Sequence, residues 1–168
     1  MINKEFRLSQ EFKRFKVISP SEDLSETLVL NDHAITEDYL IVWIDIGLHV
    51  VYAINLDTTA RFPIKLGYEE LIEAIDDELL LLADHGVDPR VGMAPELLAD
   101  GYRKKMEKRF KDIFPLTMDL ESVLRNGYRD RVFSNVVRDT GRKKQYIYDT
   151  FYSWLRHGCR KQGLGMPQ

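Results

Sequence analysis

The chain has 168 residues, of which 44% are hydrophobic, 30% charged and 11% aromatic. That balance excludes a disordered chain, and a chain of this length buries enough surface to fold without disulfides or metal. The lone Cys159 excludes an internal disulfide and a cysteine-based zinc site. The longest apolar runs, 40–44 and 79–83, fall far short of the ~20 residues that cross a bilayer, and no apolar stretch follows the first basic residue. The sequence therefore reads as a soluble, cytoplasmic protein without a signal peptide.

The net charge of −3 conceals an asymmetry. Residues 1–100 hold 8 Lys and Arg against 20 Asp and Glu, a balance of −12, and residues 101–168 hold 16 against 7, a balance of +9. A basic half of this kind suggests a polyanionic partner. The alternative is that two oppositely charged halves neutralise each other.

In chain order, residues 1–27 alternate Phe6, Leu8, Phe12, Phe15 and Val17 with Lys and Arg and read as a tethered arm with one short strand. Residues 39–56 predict a β-hairpin with one buried face. A β-branched and aromatic run is followed by an Asp45-Ile-Gly47 turn, and then Leu48, Val50, Tyr52, Ile54 and Leu56 recur at period two. Thr58-Thr59 closes the hairpin, and Phe62-Pro-Ile-Lys-Leu66 suits an edge strand that tolerates proline. Residues 68–84 predict an amphipathic helix. Its inner stripe holds Tyr68, Leu71, Ile72, Ile75, Leu79 and Leu82, and Glu69, Glu70, Glu73, Asp76, Asp77 and Glu78 fall on a solvated acidic face.

Residues 85–92 read as a loop. A helix over 95–111 follows, with Pro95 in its first turn and Leu98, Tyr102, Met106 and Phe110 at i+4 spacing. Arg103, Lys104, Lys105, Lys108, Arg109 and Lys111 surround that stripe, and Pro115 is expected to stop the helix. A short helix over 119–125, an Asn126-Gly127 turn and a helix over 128–139 complete the approach to the most informative segment.

Asp139-Thr-Gly141 is a Gly-containing turn between two helices, the pattern of a helix-turn-helix. In the second helix, Ile147, Phe151, Trp154 and Leu155 form one stripe suited to dock on Val132, Val136 and Val137. The helix opens with Arg142, Lys143, Lys144 and Gln145, its next outward positions are Tyr146, Asp149 and Tyr152, and Arg156 is expected among the DNA contacts. Long cationic and amide side chains at a helix start suit base edges and phosphates. Arg103, Lys104 and Lys108, and a tail containing Arg160 and Lys161, are expected to add phosphate contacts. The tail, residues 159–168, has no periodicity and reads as a linker. The domain expectation is a β-rich unit with an acidic helix over 1–92, a basic helix-turn-helix domain over 93–158, and that tail. The fold class is α+β.

The stretch from Asn135 to Gly158, with its apolar pair, short turn, basic-polar helix, Tyr146 near the helix start and aromatic near its end, resembles the N-terminal DNA-binding region of TnsB-type transposases. These are relatives of phage Mu transposase in the DDE integrase superfamily. Leu164 and Pro167 match the linker that follows in the family, and residues 39–56 look like its N-terminal β element. The resemblance implies double-stranded DNA at transposon end repeats as the partner. The N-terminal unit, at −12, would repel DNA, which leaves contact with other transposition proteins as a third, mixed alternative for that unit. The family joins DNA ends with three carboxylates and Mg2+ in a separate integrase-like domain. No catalytic residue and no cofactor is therefore assigned to this chain. Tyr146 is bulkier than the small residue expected at its position in the family.

Few residues of the chain suit catalysis or metal binding. Gly163-Leu-Gly165 lacks the strand and helix that frame a phosphate loop. His33, His49, His85 and His157 have no metal-ligand spacing, and Cys159 beside His157 makes no activated dyad. The reading is sequence-specific duplex binding, with the helix over 143–157 in the major groove. The rival is a protein-interaction module of a DNA-processing complex without base readout.

Overall fold

The β-branched run that opens at Tyr39 forms a strand. In the computed structural model, which describes residues 12–57, 61–125 and 129–166, it belongs to an α+β chain of two compact units, one ending at His85 and the next beginning at Gly86. The first unit contains β1 (Lys16–Pro20), β2 (Leu28–Leu30), β3 (His33–Ile35), β4 (Tyr39–Asp45), β5 (Val50–Asn55), β6 (Ile64–Gly67), α1 (Tyr68–Asp76) and β7 (Leu80–Asp84). Its antiparallel sheet runs β6-β5-β4-β1-β7, with β2 and β3 paired separately.

The expected hairpin is β4–β5, paired from Tyr39↔Asn55 to Asp45↔Val50 with a register shift between Ile41 and Trp43, and its turn is fastened by Leu48 N donating to Asp45 Oδ1 at 3.1 Å. The single buried face is a correction. Ile41, Val51 and Ala53 enter the core with Ile18, Leu66 and Leu71, and Leu40, Tyr52 and Ile54, which alternate with them, are buried as well. Both faces are apolar, so period-two counting saw only one of them. The edge strand over 62–66 appears as β6, with Pro63 just ahead of it. The strand expected in the N-terminal arm is β1, which lies inside the sheet between β4 and β7. Phe6, Leu8 and Thr58-Thr59 lie outside the described residues.

The helix expected over 68–84 ends at Asp76, and this too is a correction. Glu78 takes a left-handed conformation (φ 62°), and Leu80–Asp84 then pairs with β1 from Lys16↔Asp84 to Pro20↔Leu80. The Leu79–Leu82 run fits a helical stripe and a strand equally. A ladder along β1, with Leu80 buried and Leu81 half exposed, decides in favour of the strand. Glu69, Glu70 and Glu73 remain on the solvent side of α1.

The second unit begins with 3-10 turns at Pro89–Gly92 and Pro95–Leu97. It continues through α2 (Asp100–Met118), α3 (Leu120–Leu124), α4 (Arg129–Thr140) and α5 (Lys144–Arg156), and ends in a 3-10 turn at Lys161–Gly165. Pro95 starts a 3-10 turn rather than the long helix, and Pro115 does not stop α2, which runs through it to Met118. A proline inside a helix costs about 3 kcal/mol. Met106, Ile113 and Leu116 continue one fully buried stripe across it while Pro115 itself faces solvent, so packing outweighs the lost backbone bond.

The tail is not a linker. Gly163, Leu164 and Gly165 are buried, and Arg109 Nη1 donates to the carbonyls of Leu164 (2.8 Å) and Met166 (3.0 Å). The Tyr102 hydroxyl donates to the Gln162 carbonyl, and Gln162 Nε2 donates to the Met93 carbonyl at 3.0 Å. A Cβ on Gly165 would lie 2.2 Å from the Tyr102 ring, which is why the position takes glycine. The buried Val91, and Arg90 stacked 5.2 Å from the Tyr102 ring, likewise place 86–92 with the helices rather than with the sheet. Asn126-Gly127, Tyr128 and Pro167 lie outside the described residues.

Candidate nucleic-acid interface

Helix α4 runs one residue past Asp139 and stops where Gly141, at φ 68°, donates its N–H to the Val137 carbonyl at 3.0 Å. A left-handed residue after the last helical turn favours glycine. Thr140 Oγ1 donates to the Val136 carbonyl (2.7 Å) and accepts from Arg142 N (3.2 Å), which stiffens the turn. Residues 141–143 lie outside both helices. Lys143 is the extended N-cap of α5 without a side-chain capping bond, and the first turn of α5 carries no acidic residue. The helix therefore begins with unsatisfied N–H groups and a positive dipole end, beside two lysines.

The underside is as expected in α5, where Ile147, Phe151, Trp154 and Leu155 are buried. On α4, Phe133 meets Phe151 edge-on at 5.3 Å and stacks on Tyr148 at 4.0 Å. Val136 is buried, and Val132 and Val137 only half so. Phe133, Ser134, Val137, Arg138 and Lys144 line a cleft of about 200 Å³ where the two helices meet.

Lys143, Lys144 and Gln145 are exposed together at the start of α5. Gln145 Nε2 donates to Asp149 Oδ1 one turn on (2.8 Å), and Lys144 Nζ lies 5.8 Å from the Tyr148 ring. Arg142 is partly engaged, its Nε 3.3 Å from Asp112 Oδ2 and its guanidinium 5.7 Å from the Tyr146 ring. Tyr146 is half-buried and donates its hydroxyl to Asp112 Oδ2 at 2.8 Å, and burial followed by that bond raises its pKa. It is a platform rather than a free reader.

The outward position of Tyr152 is corrected. Tyr152 is 6% exposed, and burial pushes its phenol up to about 12. Arg156 is half-buried, and burial lowers its guanidinium below the ordinary value. From Thr150 to Leu155 every residue of α5 is buried, Ser153 included. A two-faced wheel cannot register a helix enclosed on all sides, so the expected open face over 143–157 ends at Asp149.

Of the expected phosphate contacts, Lys104 and Lys108 are exposed on α2, whereas Arg103 Nη2 is paired with Asp100 at 2.5 Å. Arg160 is exposed, and Lys161 is held by Glu107 at 2.9 Å, 5.6 Å from the Phe110 ring. Arg109, among the cations expected around this helix, is turned inward to the tail carbonyls instead. Sequence reasoning missed Asp112. The readable signal was its place four residues before Leu116, on the buried stripe of α2, where a carboxylate needs donors. No protein-family model and no curated protein matches the chain.

Proposed function

We propose that this chain binds duplex DNA through the first two turns of α5, with Lys143 and Lys144 on phosphates and Gln145 at a base edge. The observation that carries the reading is that these three side chains stand open at a helix start without a side-chain cap, on a framework fixed from beneath by Phe133, Ile147 and Phe151. Helix N-terminal amides and lysines attract phosphate, and an outward amide pairs with adenine. Lys104, Lys108 and Arg160 add cations that position without specifying. The resemblance to TnsB-type transposases makes transposon end repeats the class of site, with the chemistry of strand joining performed elsewhere in such proteins.

The test is selection from a randomised duplex library, followed by titration of the selected and a random duplex. Gln145→Ala is expected to cost on the order of 1–3 kcal/mol on the selected duplex and little on the random one. Equal loss on both moves Gln145 to the backbone, and absence of any shift with duplex at low salt removes the reading.

A second reading, protein interaction, is favoured by the first unit. Phe12, Ile44, Ile46, His49 and Tyr68 line an apolar cleft of about 460 Å³, rimmed by Lys13 and Arg14. Ile46 is 82% exposed. This surface suits contact with another protein of a transposition complex while α5 reads DNA.

A further inference from the structure

We propose that Asp112 is a positioning residue for DNA binding: it fixes the Arg142 guanidinium at the start of α5 so that its free edge meets a phosphate. The inference rests on the DNA reading above and adds a residue from α2 to it. Asp112 is 9% exposed, and its Oδ2 accepts from the Tyr146 hydroxyl at 2.8 Å and lies 3.3 Å from Arg142 Nε. A carboxylate in this setting needs donors. The Tyr146 hydroxyl already provides one from within α5, whereas Arg142 reaches in from the turn.

The way Arg142 reaches in favours a second purpose. Asp112 faces the Nε side of a guanidinium that carries five donors, and four of them belong to the η nitrogens. The Arg142 side chain keeps 41% of its exposure, so it is held without being enclosed. The Tyr146 ring at 5.7 Å supports the same guanidinium. An arginine fixed before binding loses less rotamer freedom when it meets phosphate than a free one does. The competing idea, that Asp112 merely neutralises Arg142, predicts the opposite sign: removing the carboxylate would tighten DNA binding.

The test measures binding of the full chain to a selected duplex for wild type, Asp112→Asn, Arg142→Ala and the double variant, with melting temperatures alongside. Asparagine retains an acceptor for Tyr146. Asp112→Asn is expected to weaken binding roughly three- to tenfold, and to weaken it no further in the Arg142→Ala background, as for residues that act as one unit. Arg142→Lys, at an exposed turn position, keeps the charge but lacks Nε. It is expected to lose most of what Arg142→Ala loses, and it keeps the proposal testable if Asp112→Asn fails to fold. Affinity that is unchanged or raised in Asp112→Asn, a full loss repeated in the Arg142→Ala background, or wild-type binding by Arg142→Lys overturns the proposal. A wild-type chain that binds no duplex overturns the DNA reading itself, whereas duplex-binding variants that behave independently overturn only the role of Asp112.

Discussion

Leu164→Ala separates a packed tail from a linker more sharply than any other single change. Leu164 is fully buried, and its carbonyl accepts from Arg109 Nη1 at 2.8 Å. It stands between Gly163 and Gly165, both buried, the second lying against the Tyr102 ring. Truncating a fully buried leucine removes its transfer free energy and leaves a cavity, a loss of about 2–5 kcal/mol. A linker leucine, like other surface positions, changes stability by no more than about 0.5 kcal/mol. The two expectations do not overlap. Urea unfolding followed by tryptophan fluorescence reads the difference, because Trp154 belongs to the same unit and is itself buried. The midpoint should fall with the slope unchanged. A loss under 0.5 kcal/mol would mean that the tail does not hold α2, and that Arg109 is free to serve DNA after all.

Replacing Lys143 and Lys144 together with glutamine should flatten the salt dependence of DNA binding by roughly 1.8 in log–log slope, at about 0.9 per phosphate contact, so the affinity deficit at 50 mM salt should exceed that at 200 mM by about twelvefold. Parallel lines in an anisotropy titration would show that neither lysine meets phosphate. Alkaline stability should reflect Tyr152, whose phenol is raised by burial from an ordinary 10.0 to about 12. The unfolded chain loses that proton first, so stability is full below pH 10 and falls as pH rises toward 12. Melts that show the same alkaline decline in Tyr152→Phe would assign the effect to other groups.

The hairpin at 39–56 and the turn at 139–141 were legible because each couples a short periodic pattern to a glycine turn, and both signals are local. What was missed depends on contacts distant in sequence. The Leu79–Leu82 run became a strand because β1, more than sixty residues earlier, offers a ladder to pair with. The helix expected to stop at Pro115 continued because Ile113 and Leu116 keep the buried stripe of Met106 going. The tail seemed featureless because its bonds run through backbone carbonyls to Tyr102 and Arg109, which no pattern of side chains records. At the site, the cations at 142–145 were visible from their spacing. The division between held and open cations was not, since it turns on Asp112, Asp100 and Glu107, acidic residues within a basic segment.

The enclosure of α5 sets a limit on how much sequence this surface can read. The stretch that is not enclosed on all sides runs from Lys143 to Asp149, with Ile147 buried on its underside and Tyr146, Tyr148 and Asp149 half-buried, and everything from Thr150 to Leu155 is buried. At 1.5 Å per residue this stretch is about 10 Å long, and at 3.4 Å per base step it faces roughly three base pairs. A helix laid along the groove over the full 143–157 would meet more, but the buried half cannot be offered without unpacking Phe151, Trp154 and Leu155. On the proposed DNA reading, the helix would have to enter the groove by its N-terminal end, where helix-turn-helix proteins make their base contacts. Selection from a random library should return a strongly fixed core of about three or four pairs that loses its preference in Gln145→Ala. Any longer specificity then comes from additional bound surfaces rather than from α5. A single uninterrupted motif of eight or more equally fixed pairs, all sensitive to substitution in the first turn of α5, would contradict the end-on geometry and the buried second half on which it rests.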